Sequence, residues 1–417
     1  MSADKNILLI AYYFPPLGMG GVGRSYALFR HLPNHGYRAT ILTVKNIVYP
    51  EYDHTRLEGS DEENIIRTGS YDPSRLMYLA GLRKKAVSGG AQFSAPRCYF
   101  PDSKRGWVGP AYRAAMRILS TRDYAAVIST SPPPSAHLVG LKIKAKTGLP
   151  WIADFRDLWF SLPIEKLYRT SIQRNYAENL KRKIVDTADE IVGVNESIVK
   201  YLGRGRKITN GAEIKTAQLW RKIKSGSKEK LVIGVLGTIN ELCPIEPLFR
   251  AVASVAGNNK VTADKISIVH VGGYDRTMMT SLIKKYDLQN IVSLKGYLPK
   301  EEAIAALSWS DLLYFSVAAV DWYHILPGRI FDYLMSAKPI IGVVPSGSDA
   351  ESLLREYNNG VVVTEPDSEM IASYILGRLD TSNEKDDVMP DQDRDYEKYS
   401  TGYVAKRYAE ILDGVIR

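Results

Sequence analysis

Two successive series of short β-branched runs, each followed by an amphipathic stretch, set the strongest constraint on what this chain can become. Strands buried on both faces read as continuous apolar runs, so the pattern belongs to parallel sheets covered by helices on either side. The first series places strands at 6–11 (NILLIA), 39–44 (ATILTV), 125–130 (AAVIST), 151–155 (WIADF) and 190–194 (EIVGV). The second places them at 231–236 (LVIGVL), 266–271 (ISIVHV), 291–294 (IVSL), 311–315 (DLLYF), 339–344 (PIIGVV) and 360–363 (GVVV). Val22, Tyr26 and Phe29 recur at helical spacing, and 164–187 reads as a long polar-faced helix. Turn and linker chemistry in 208–230 separates the two series. The expected fold class is α/β, with two Rossmann-like, doubly wound domains at 1–207 and 208–395 whose strand ends face a cleft. A final helix within 396–417 is expected to pack back on the N-terminal domain.

A chain of 417 residues has room for two or three domains, which excludes a single small binding module. With 45% hydrophobic and 24% charged residues it is neither disordered nor fibrous. The two cysteines, Cys98 and Cys243, are far apart, which excludes a disulfide scaffold or a cysteine-based zinc site and points to a reducing, cytoplasmic compartment. The opening segment carries an acid before its apolar run and a double proline after it, so it reads as a first strand rather than a secretory signal. No run approaches the ~18 consecutive apolar residues of a membrane span.

A net charge of +9 favours anionic partners. Much of it collects in 75–122, where ten Lys/Arg accompany a single acid, Asp102, with Tyr78, Phe93, Tyr99, Phe100, Trp107 and Tyr112 between them. This composition suits a surface lying on anionic lipid, with charges at the headgroups and rings at the interface; the competing reading is a solvated insert with core aromatics. No recognised nucleic-acid motif accompanies the charge, so nucleic acid is not expected as a partner.

Two stretches carry chemistry. Gly18-Met-Gly20-Gly21-Val-Gly23 formally matches GxGxxG after a strand. The glycines start late, beyond Pro15-Pro16, and Lys45 ends the next strand where a ribose-binding acid would stand, so a dinucleotide is not expected. What remains is a glycine loop at a helix start, where bare amides can approach a phosphate. In 326–344, Pro327 just inside a helix start leaves the amides of Gly328, Arg329 and Ile330 open, and with the Arg329 guanidinium they form a diphosphate cradle. Asp332, one turn in, can accept hydrogen bonds from vicinal ribose hydroxyls, and His324 stands in the loop above.

With "NGAE" near the junction, "VGGY" after a strand, "LKGYLP", and "PGRIFDYLMSAKPIIGVVPSG", the chain resembles the retaining glycosyltransferases of family 4, which have the GT-B fold. The resemblance covers almost the whole chain, and "SPPPSAH" with "WIADFRDLW" is similar to a subgroup acting on bacterial polysaccharides.

The resemblance implies that Gly20 and Gly21 lie against the donor phosphates, that backbone groups at Tyr297 and Leu298 bind the base, and that Gly272 and Gly273 form the neighbouring loop. It puts Asp332 on the ribose and His324 where relatives carry an acid near the donor sugar. Relatives usually carry an Arg and a Lys after the first strand of the second domain; here Gly237–Pro244 has neither, and Thr238 supplies only a hydroxyl. Because charge on the departing diphosphate dominates the barrier, a cation is needed, with Arg329 the first choice and Arg24 the second. Asp154, Arg156 and Asp157 of the DFRD segment, with His137, are placed on the acceptor or the sugar; the alternative is a structural Asp–Arg pair. Among these, Arg329, Asp157 and His324 are expected nearest the chemistry.

The expected activity is hexosyl transfer from a nucleotide-sugar donor to a glycan or polyprenyl-linked glycan, with retention and front-face displacement. No metal and no cofactor are expected. The setting is surface polysaccharide, O-antigen or capsule assembly at the inner face of the cell membrane. Two other readings of the same fold are a sugar-nucleotide epimerase and a non-catalytic partner subunit.

Overall fold

The structure is a computed structural model that describes residues 4–18, 20–82, 100–158, 170–221, 230–257, 264–318, 326–364, 367–381 and 397–416. Contacts divide the chain into two compact units, one running to Gly211 and resuming at Thr401, the other comprising Ala212–Ser400.

In the first unit a parallel sheet of seven strands has the order β3-β2-β1-β4-β5-β6-β7. These are β1 (Lys5–Ala11), β2 (Tyr37–Val44), β3 (Ile65–Thr68), β4 (Ala126–Ser131), β5 (Trp151–Phe155), β6 (Glu190–Gly193) and β7 (Arg206–Lys207). The central strand explains the apolar run: Leu9 pairs with Ile41 on one side and Ile128 on the other. Its side chains alternate between two cores, Leu8 and Ile10 in one, Ile7 and Leu9 in the other. The first core is closed by helices Val108–Leu119 and Ser135–Thr147, and the second by Gly23–His31 and Thr401–Val415. That last helix is tied down by Tyr37 donating to Asp413 and by Thr401 Oγ1 3.0 Å from His31 Nε2.

In the second unit six parallel strands have the order β10-β9-β8-β11-β12-β13. They are β8 (Leu231–Leu236), β9 (Ile266–Val271), β10 (Val292–Leu294), β11 (Leu312–Ser316), β12 (Ile340–Val343) and β13 (Gly360–Val363). Here too the strands feed two cores, with Leu313 and Phe315 facing one and Leu312 and Tyr314 the other. In both sheets the order reverses beside the first strand, between β1 and β4 and between β8 and β11. Ligands of open parallel sheets bind outside the strand ends at such a reversal.

Three sequence expectations differ from the structure. The edge strands β3 and β7 are not anticipated, because β7 has two exposed residues and β3 is short and half-buried. Part of the expected linker is the helix Ile214–Arg221, which sends Ala217 and Trp220 into the core. Within 75–122, Trp107 is fully buried, its Nε1 donating to Thr68 Oγ1 at 2.7 Å, and the helix Val108–Leu119 packs Val108, Ala111 and Ala115 inward. Those residues build the first unit, while Phe93 and Tyr99 lie outside the described residues. No helix among the described residues is long and apolar enough to cross a membrane.

Candidate functional site

In the second unit, the loops following β8, β9 and β10 are stitched side by side through their main chains. Gly237 N donates to Val271 O (2.8 Å), Ile239 N to Gly273 O (2.9 Å) and Gly272 N to Gly296 O (2.8 Å). The approach is so close that a Cβ on Gly272 would sit 2.1 Å from Gly237 O, and Gly237 itself has φ +98. Only glycine fits both conditions. His270, buried in β9, holds the same loop by its Nε2, 2.8 Å from Gly237 O, and burial presses its imidazole down to about 4. Below, Tyr333 Oη accepts from Leu236 N (2.7 Å) and donates to Tyr314 O (3.2 Å), joining the ends of β8 and β11.

Arg329 crosses the reversal itself. Its Nη1 reaches Thr238 O (3.4 Å) beyond β8 and its Nη2 reaches Ser316 O (3.2 Å) at the end of β11. The stem lies against Gly237, where a Cβ would meet Nη1 at 2.9 Å, and the guanidinium sits 5.4 Å from the Phe315 ring centroid. Nε is buried and takes no hydrogen-bond partner among the described residues. Arg329 opens the helix Arg329–Ser336, with Gly328 exposed before it. Of the three amides expected to be open there, that of Ile330 is engaged by Pro327 O (3.1 Å), so the cradle rests on Gly328 and Arg329.

One turn into this helix the Asp332 carboxylate is buried, and Lys300 Nζ lies 2.9 Å from its Oδ1. Lys300 begins the helix Lys300–Leu307, directly after the loop that carries Tyr297 and Leu298. The residues expected at the base and at the ribose are thus joined by a lysine that sequence reasoning does not reach. His324 lies outside the described residues.

In the first unit, Gly20 and Gly21 form a 3-10 turn, Gly20–Val22, leading into the helix Gly23–His31. A Cβ on Gly21 would meet nothing nearer than Tyr49 Oη at 3.8 Å, so the protein's own packing does not demand glycine there. Arg156 supports the turn, with Nη1 donating to Gly21 O (2.8 Å) and Nε to Ser131 O at the end of β4 (2.8 Å).

Arg24 is committed internally. Its Nε and Nη2 lie 3.1 Å from Asp154 Oδ2 and Oδ1 and also meet Tyr408 Oη, while Nη1 donates to Thr209 O (2.8 Å). Asp154 accepts a further bond from Thr130 Oγ1 (2.7 Å), and Arg24, Asp154, Thr130 and Tyr408 are all buried. The expected Asp–Arg pair of the DFRD segment therefore exists, but the arginine comes from the glycine-loop helix rather than from position 156. His137 is wholly buried, its Nδ1 2.8 Å from Ser129 Oγ and its ring 4.3 Å from Phe155, and burial pushes its imidazole down to about 3. Asp157 differs: it is half-buried, and burial lifts its carboxyl above the usual range against the opposing pull of Arg156.

No protein-family model matches the chain, and no curated protein matches it by sequence. Solved structures do. A glycosyltransferase from Rickettsia africae is 15% identical with a TM-score of 0.63 over 99% of both chains. The HepE protein of Anabaena, solved with UDP and glucose, is 15% identical with a TM-score of 0.61 over 98% of this chain and 99% of that one. Sucrose-phosphate synthase from Thermosynechococcus elongatus is 14% identical with a TM-score of 0.60 over 99% and 95%. The likeness is one of fold: the chain has the GT-B fold, with two Rossmann-like parallel-sheet domains.

Proposed function

We propose that this protein is a glycosyltransferase that takes a hexosyl group from a nucleoside-diphosphate sugar and passes it to a glycan or lipid-linked glycan with retention. The observation that carries the reading is Arg329, laid across the reversal of the second sheet with Nε unpartnered among the described residues, one turn before a buried carboxylate. A guanidinium and helix-start amides converging at that point suit a diphosphate. The fold-mates add support, since one was solved with UDP and glucose.

In this reading the second unit binds the donor. Arg329, with the amides of Gly328 and Arg329, meets the charge that develops on the leaving diphosphate, and Thr238 adds a hydroxyl. Asp332 takes the ribose, the Tyr297–Leu298 backbone the base, and Gly272 keeps the floor low. As the bond from the anomeric carbon to the phosphate oxygen breaks, the acceptor oxygen bonds on the same face, and its proton passes to the leaving phosphate. The first unit presents the acceptor: Gly20 and Gly21 leave room for a ligand at the turn, Asp157 orients the acceptor hydroxyl, and Arg156 supports the turn. Arg24, Asp154 and His137 act as positioning residues, since their polar atoms are buried in the unit's interior.

We assign charge neutralisation to protein groups rather than to a divalent ion, so turnover should survive excess EDTA. The setting is surface polysaccharide assembly at an anionic membrane, supported by exposed Leu76, Leu79 and Leu82 leading into the basic run Arg83-Lys84-Lys85. Sedimentation with phosphatidylglycerol vesicles checks that surface. The deciding experiment is incubation with a panel of nucleotide sugars with and without glycan acceptor. Transfer only with acceptor supports the reading; an epimer or free sugar from donor alone marks an epimerase, and nucleotide binding without any turnover marks a non-catalytic subunit.

A further inference from the structure

Lys300 and Asp332 form a close ion pair in the second unit. The ammonium is 2.9 Å from Oδ1, yet Oδ1 is buried and receives no hydrogen bond of proper direction among the described residues. The carboxylate side chain is 8% exposed and the lysine side chain 34%. The charge is compensated while the oxygen's directional capacity stays unused. A partly exposed ion pair adds little to stability, so fold maintenance alone explains the arrangement poorly. The chemistry of the pair narrows its occupant. A phosphate is repelled by Asp332, and a metal cation by Lys300. A neutral group with adjacent hydroxyls satisfies both, donating hydrogens to the carboxylate and accepting one from the ammonium. A ribose diol has that pattern, and Lys300 follows the same loop that carries Tyr297 and Leu298.

We infer that Lys300 is a positioning and specificity residue that, with Asp332, makes the donor site selective for ribonucleoside over 2′-deoxyribonucleoside diphosphates. The inference rests on the nucleotide reading above and deepens it. Removing the 2′-hydroxyl leaves a buried carboxylate oxygen unmet, a mismatch that hydrogen-bonding sites reject strongly. Lys300 holds the carboxylate turned toward the ligand until the sugar arrives, then shares the diol with it.

The test is titration calorimetry of the full chain with UDP against 2′-deoxy-UDP, and the same with the ADP and GDP pairs. Wild type, Lys300→Met, Lys300→Arg and Asp332→Asn are compared, and thermal melts establish that each variant is folded. Wild type should prefer the ribo form by roughly tenfold or more. Lys300→Met should bring that ratio close to one while the deoxy form still binds, Asp332→Asn should do the same, and Lys300→Arg should restore part of it. If Lys300→Met keeps the wild-type ratio while Asp332→Asn loses it, the lysine role is overturned and the carboxylate role stands. A wild type with equal affinity for both forms overturns the inference while leaving a nucleotide site. Failure of every nucleoside diphosphate to bind removes the inference together with the reading beneath it.

Discussion

Both units carry an arginine on a helix that follows one of the two strands flanking the reversal, β1 in the first unit and β11 in the second, but they use it in opposite ways. In the first, Arg24 spends its guanidinium on the buried Asp154 and Tyr408 and on the half-buried Thr209 carbonyl. In the second, Arg329 makes two long bonds to carbonyls, 3.4 and 3.2 Å, and its Nε has no partner among the described residues. The same architecture therefore supports an arginine paired with a buried carboxylate in one half and, in the other, an arginine with no acidic partner among the described residues. Burying an ion pair stabilises only if every partner stays in place, whereas an incompletely bonded cation is held ready for an outside anion. The contrast separates a half that is braced from a half that binds.

The largest effect should come from the Arg24 cluster. Arg24→Ala strands the Asp154 carboxylate and should cost about 3–5 kcal/mol, read as a lowered urea midpoint. If stability is unchanged, the cluster is not the brace described. Arg329→Ala should leave the melting temperature nearly unaltered and slow turnover by about 10²–10³-fold, the cost typical of losing one donor to a developing oxyanion. An unchanged kcat would move the diphosphate elsewhere.

Acid should strain both halves, the first more. His137 and His270 are held neutral far below the ~6.5 of a free imidazole, at about 3 and about 4. Between those values the unfolded chain binds more protons than the native one, so this part of stability is complete above pH ~6.5 and is lost as pH falls through the interval. His137→Gln should flatten the slope of urea midpoint against pH more than His270→Gln does. The smallest effect on stability belongs to Gly21→Ala, whose Cβ meets nothing closer than 3.8 Å. Its melting temperature should stay within about a degree while transfer falls, because the lost space is the ligand's.

How far the sequence could be read differs between sheet and site for a physical reason. WIADF, LVIGVL and ISIVHV coincide with β5, β8 and β9, since a strand buried on both faces has no polar interruptions to blur its ends. The short, half-buried β3 and the exposed β7 at the other edge lack that signal. In the site, local motifs locate Arg329, Asp332 and the glycines, because a helix start and a tight turn have local causes. Partnerships across the chain leave no such mark. Asp154 pairs with Arg24 rather than Arg156, Tyr408 joins them from the last helix, and Lys300 reaches Asp332 only once two helices are packed. His270 is concealed inside an ordinary strand pattern, and only its bond to Gly237 O gives it a purpose.

The last helix, Thr401–Val415, supplies Tyr408 to the Arg24 cluster and covers Leu28 and Phe29. During synthesis the portion that leaves the ribosome first must therefore wait, its apolar flank uncovered, until all of Ala212–Ser400 has been translated. The later-made half can be finished earlier, and a nascent chain stalled before Thr401 would hold a completed second unit beside an unfinished first, a natural client for a chaperone.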